Sequence, residues 1–140
     1  MSKEQTSRPV ILVVEDNANQ RLYYQEELQD AGYEVVTAGS GPEALEVLSG
    51  GGVDLVLLDI GMPGMDGIET LARILEVNRE LPVILNTAYS DYRDDFMTWT
   101  ADAYVTKSSD PSTLHESIRE ALLKRGVQPP EQPEGESEGE

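Results

Sequence analysis

The chain has 140 residues, with 10 Lys and Arg against 27 Asp and Glu, a single His and no Cys, for a formal net charge of −17. At roughly 100–200 residues per domain this is one domain, large enough to bury a core without a disulfide or metal staple. The acidic balance argues against nucleic acid and anionic membranes as partners, the missing Cys excludes thiolate chemistry, and no stretch reaches the ~20 apolar residues of a membrane span.

Residues 1–8 read as a short disordered leader, without the apolar core of a signal peptide, so a cytoplasmic location is expected. Val10–Val14 is a solid apolar run, the signature of a strand buried on both faces of a parallel sheet. Asn17, with Gln20 three residues on, opens a helix to about Ala31 that Gly32 ends. Tyr33–Ala38 is mixed but β-prone and reads as a strand nearer an edge. Ser40, Pro42 and Glu43 open a second helix closed by the glycines at 50–52. Val53–Leu58 is another solid run. Asp66 with Glu69 opens a third helix, whose Ile68, Leu71, Ile74 and Leu75 share one face. Val83–Leu85 is a fourth strand, and Ser90 or Asp91 starts a shorter fourth helix. Ala103–Thr106 is the fifth strand. Asp110 and Pro111 start the last helix, with Leu114, Ile118, Ala121 and Leu122 at helical spacing. Residues 126–140 hold five Glu and no base, in a Pro, Gly, Glu and Ser composition that cannot bury enough surface to fold. The expected organisation is a leader at 1–8, one domain at 9–125 and an acidic disordered tail at 126–140.

Five strand–helix pairs with right-handed crossovers give an α/β fold, a (βα)5 doubly wound parallel sheet with helices on both faces. Ligands of such sheets bind beyond the carboxyl ends of the strands. Glu15 and Asp16 follow the first strand, Asp59 follows the third, Thr87 closes the fourth and Lys107 follows the fifth. The second strand ends without charge at Thr37 and Ala38. The flavodoxin-like order 2-1-3-4-5 puts that strand on an edge and makes the other four contiguous. Three carboxylates, a hydroxyl and an ammonium then converge on one rim. The carboxylates and the Lys sum to −2, which calls for a cation, and hard oxygen ligands favour Mg²⁺ or Mn²⁺. Such an ion beside a Lys and a hydroxyl is a place for a phosphoryl group passing onto a carboxylate nucleophile.

The segments VVEDN at 13–17, LVLLDIGMPGMDG at 55–67, NTA at 86–88 and AYVTK at 103–107 make the chain resemble the receiver domain of bacterial two-component response regulators, over about residues 9–125. The chemotaxis member of that family is a known example of the 2-1-3-4-5 order. The resemblance implies that Asp59 is the phosphoacceptor, charged by a sensor histidine kinase or a phosphotransfer protein. It implies that Asp16 and Asp59 hold Mg²⁺ with the backbone carbonyl of Gly61, and that Glu15 acts through a water or from behind. Lys107 and the Thr87 hydroxyl would meet phosphoryl oxygens, and Tyr104 would be the switch aromatic that turns inward as Thr87 moves. Met62, Pro63 and the glycines at 61, 64 and 67 would shape the loop after Asp59. The face made by the fourth helix, fifth strand and fifth helix would report the switch to an unknown downstream protein, or the phosphoryl group would be passed onward, with a homodimer through the same face as an option. Tyr89, two residues past Thr87, would overhang the phosphoryl site and slow water attack.

Two departures stand out. The family usually carries a proline after the lysine, commonly with a cis bond, whereas Ser108 follows Lys107 here, and a trans bond is expected. The stretch from Thr87 to Lys107 is about two residues short, and it carries Phe96, Met97 and Trp99 as core or partner contacts. His115 reads as an ordinary surface His, and Gly39-Ser40-Gly41 as a turn with a helix cap. Three readings stay open: a stand-alone phosphorylation switch that is not a turnover enzyme, an interaction module of the same fold that no longer phosphorylates, and a phosphohydrolase using Asp59. The first is preferred on the complete acidic set. The third is disfavoured because Gly61, not an acid, stands two residues after Asp59.

Overall fold

A computed structural model describes residues 8–60, 67–88 and 100–130. In chain order the elements are β1 (Val10–Val14), α1 (Ala18–Asp30), β2 (Glu34–Ala38), α2 (Gly41–Ser49), β3 (Leu55–Leu58), α3 (Gly67–Val77), β4 (Val83–Thr87), β5 (Ala103–Thr106) and α4 (Pro111–Lys124). The expected fourth helix, with Phe96, Met97 and Trp99, lies outside the described residues, so α4 is the helix read as the fifth. All strands are parallel, in the order β2-β1-β3-β4-β5.

The solid apolar runs become the central strands because both faces of the sheet are covered. Alternate residues supply two separate cores. Leu12, Val14, Val56, Leu58, Val83 and Leu85 pack under α2 and α3, while Ile11, Val13, Leu55, Leu57 and Ile84 pack under α1 and α4. Each helix starts on the residue read as its cap where that residue is described. Ser40 Oγ accepts from Glu43 N at 3.2 Å, and Asp110 Oδ1 accepts from Ser112 N at 3.0 Å. Asn17 Oδ1 likewise accepts from Gln20 N at 2.9 Å.

Boundaries shift for identifiable reasons. Tyr33 N donates to Leu28 O, so Tyr33 belongs to the helix exit and β2 begins at Glu34. Asp54 pairs with β1 through both its N–H and its carboxylate, which accepts from Val10 N at 2.8 Å, and β3 begins only at Leu55. At the other end β4 runs through Asn86 and Thr87, two buried polar residues paired with Val105 and Thr106. The Lys107–Ser108 bond is trans, as no described peptide bond is cis.

Residues 126–130, assigned to the tail on composition, pack onto the domain. Val127 lies against the core under α1 and α4, Pro129 is buried, and Arg119 Nη1 donates to Pro130 O at 3.0 Å. Gly32, at φ +101°, leaves room for this: a Cβ there would stand 2.8 Å from Pro130 Cβ. His115, read as an ordinary surface residue, instead bridges α4 to α1 through Glu27 at 3.0 Å. Among the described residues no helix is long and apolar enough to cross a membrane.

Candidate functional site

The carboxyl ends of β1, β3, β4 and β5 form one rim, and main-chain bonds carry the sheet one residue past β1, β3 and β5. Glu15 N donates to Ala38 O at 3.0 Å, Asp59 N to Val14 O at 3.1 Å, and Lys107 N to Thr87 O at 2.8 Å. Continued pairing fixes the backbone from which each functional side chain departs. Glu15, Asp16 and Asp59 consequently bring carboxylate oxygens within 4.8 Å of one another, Glu15 and Asp59 buried and Asp16 exposed. Lys107 reaches in from the far side, its Nζ 2.6 Å from Glu15 Oε1 and 3.0 Å from Asp59 Oδ2. Thr87 is fully buried at the end of β4, so all the strand-end groups named above share this rim. Tyr104, opposite Leu85 across β4 and β5, is half-buried against the core under α2 and α3. Gly61 and Tyr89 lie outside the described residues, as do Met62, Pro63 and Gly64.

Gly67 is described, and it shows why a glycine stands there. An added Cβ would lie 2.3 Å from Ile60 Cα and 2.6 Å from Ile60 O. The start of α3 therefore touches the main chain directly after Asp59, an approach only glycine permits.

The charges are unbalanced in a specific way. Burial is the main influence raising the Glu15 carboxyl above its ordinary value, with the Asp59 charge adding to it and Lys107 opposing. For Lys107, burial alone would lower the ammonium, but the bonds and charges of Glu15 and Asp59 together outweigh it and the net shift is upward. One ammonium against three carboxylates leaves a deficit of positive charge in a largely dehydrated place. The donor set is all oxygen, gathered at one point and partly open through Asp16. That fits a small hard cation that keeps some of its waters, which describes Mg²⁺.

Four residues of the site escaped the sequence reading. Arg21 Nη1 donates to Glu15 O at 2.8 Å and tethers the loop after β1. Gln20 Oε1 accepts from Lys107 Nζ. The Tyr24 ring lies with its centroid 6.0 Å from the same ammonium, and Asn86 hydrogen-bonds to Tyr24. A basic residue five positions after an acidic strand end is a signal for Arg21. Gln20 carried no such signal, because its position was already accounted for as part of a helix start.

The chain is similar to known proteins in both sequence and fold. Residues 11–119 match the family model described as the response regulator receiver domain. The transcriptional regulatory protein YkoG of Bacillus subtilis is 38% identical over 119 residues, which is 84% of this chain and 52% of that protein. The chain thus spans about half the length of that curated relative. The solved structure of response regulator TrrA from Thermotoga maritima with Mg²⁺-BeF is 46% identical, covers 81% of this chain and 99% of that one, and superposes with a TM-score of 0.78. A second structure, of TrrA in complex with the histidine kinase ThkA, superposes at 0.76 with 46% identity, over 81% of this chain and 98% of that one.

Proposed function

Because the chain belongs to the response regulator receiver domain family, we propose that Asp59 accepts a phosphoryl group from a histidine kinase or phosphotransfer protein, with Mg²⁺ at the acidic cluster. The observation that carries this reading is the meeting of Asp59 with Glu15, Asp16 and Lys107 at one rim. The kinase complex of TrrA and its Mg²⁺-BeF form support it by similarity.

In this mechanism a carboxylate oxygen of Asp59 attacks the phosphorus of a phosphohistidine. A P–O bond forms, the P–N bond breaks, and the departing imidazole keeps the electron pair and takes up a proton. Mg²⁺, held by Asp16 and Asp59 with the Gly61 carbonyl and with Glu15 behind, would supply neutralising charge for the phosphoryl oxygens. Lys107 turns a donor from Asp59 to a phosphoryl oxygen, and the Thr87 hydroxyl offers another. Tyr104 follows Thr87 inward, and the β5–α4 side reports the change to a protein partner. Tyr89 keeps its role as a bar to water, so Tyr89→Ala is expected to shorten the phosphoryl lifetime. The match covers only 52% of YkoG, a transcriptional regulatory protein, so the sequence-based exclusion of nucleic acid extends no further than these 140 residues.

The test is intact mass after incubation with acetyl phosphate. The reading expects one added phosphoryl group with Mg²⁺, and none after chelation or in Asp59→Ala. No gain in the parent chain with Mg²⁺ overturns it in favour of a pure interaction module.

A further inference from the structure

We propose that Gln20 is a positioning residue that aims the Lys107 ammonium at Asp59, an inference that rests on the phosphoacceptor reading above. Gln20 is the third residue of α1, where a glutamine side chain ordinarily bonds back to the main-chain N–H of the helix cap. Here that bond is taken by another group: Asn17 N donates to Glu15 Oε2 at 3.2 Å. Released from the cap, the Gln20 amide turns to the site and accepts from Lys107 Nζ.

An ammonium has three donors. On Lys107 they go to Glu15 Oε1, Asp59 Oδ2 and Gln20 Oε1. Two of these acceptors are charged and stand at the ends of β1 and β3. The third is neutral and comes from a helix on one side of the sheet, so it adds direction without adding to the excess of negative charge. Tyr24, one turn along the same face of α1, presents its ring to the same ammonium at 6.0 Å. The lysine needs such a wall. Its main chain is held to Thr87, but its four-carbon stem is flexible, and an exposed Ser108 in trans follows it where a proline would stiffen the segment. When phosphoryl reaches Asp59, Lys107 stays anchored by Gln20 while the donor used by Asp59 is redirected.

Gln20→Leu removes the acceptor at an exposed helix position that tolerates leucine. Phosphorylation by acetyl phosphate is expected to slow by about tenfold, the size of one hydrogen bond to a charged group. The Mg²⁺ dissociation constant from calorimetry stays within about twofold, since Gln20 is not among the gathered carboxylates. In the metal-free protein the ¹⁵N resonance of the Lys107 ammonium shifts and exchanges faster in Gln20→Leu, and is retained in Gln20→Glu, which keeps an oxygen at the same reach. An unchanged rate with an unchanged ammonium resonance overturns the inference, as does a slower rate matched by an equal loss of Mg²⁺ affinity. If the parent chain takes up no phosphoryl, the phosphoacceptor reading fails and this inference with it. A reactive parent with an equally reactive Gln20→Leu sinks the inference alone.

Discussion

Lys107 Nζ lies 2.6 Å from Glu15 Oε1, a contact between residues 92 apart that ties the end of β5 to the end of β1. Both side chains are nearly excluded from water, at 13% and 4% exposed. Removing the cation leaves buried carboxylates facing one another, which is costly. Lys107→Met is therefore expected to lower the stability of the metal-free protein by roughly 2–4 kcal/mol. Added Mg²⁺ should recover part of that loss by binding the folded state. Urea unfolding of both proteins, with and without Mg²⁺, measures both effects.

Alkaline pH probes the same lysine together with two tyrosines. Burial raises Tyr33 and Tyr24 above their ordinary value of 10.0, while Lys107 ends above 10.5 because its carboxylate partners outweigh burial. In each case the folded protein holds its proton more tightly than the unfolded chain. The associated stability is complete below the unfolded value and is lost as pH rises through the folded one. Stability is thus expected to fall above about pH 10, and Tyr33→Phe should make that fall shallower. A steeper or unchanged fall in Tyr33→Phe contradicts the assignment.

Gly67→Ala places a methyl group 2.3 Å from Ile60 Cα, a contact that main chain must relieve. A loss of about 2–4 kcal/mol in thermal or denaturant unfolding is expected. Phosphoryl uptake should fall too, although no strand-end group has been altered, because Ile60 directly follows Asp59.

Ending the chain at Gly126 removes Val127, the buried Pro129 and the Arg119–Pro130 bond. About 1–3 kcal/mol of stability should go with them. Ending it at Pro130 keeps those contacts and should change stability by no more than about 0.5 kcal/mol. Equal denaturation midpoints for the two truncations would show that residues 127–130 add nothing to the fold.

What was legible in the sequence divides along a physical line. Solid apolar runs such as Leu55–Leu58 can be buried only between two layers, so the layering and the strands could be read directly. Acids placed at the ends of those runs, Glu15 and Asp59 above all, then marked the rim. Side chains with two possible uses were not legible. Gln20 has the spacing of a cap partner, and only the bond from Asn17 N to Glu15 Oε2 shows that it is free to face Lys107. Composition misled at residues 126–130, because prolines in a polar segment can still fill a surface groove when a glycine such as Gly32 vacates it. Asn86 looks too polar for a central strand, yet pairing with Val105 keeps it in β4, which Thr87 closes as expected.

Borohydride trapping tests the central claim most directly. An acyl phosphate on a carboxylate side chain is reduced to the alcohol, which leaves a permanent mark at the residue that carried it. After incubation with acetyl phosphate and Mg²⁺, peptide mass mapping should find homoserine in place of Asp59 and at no other acid. Homoserine at a different residue, or at none, would contradict the account.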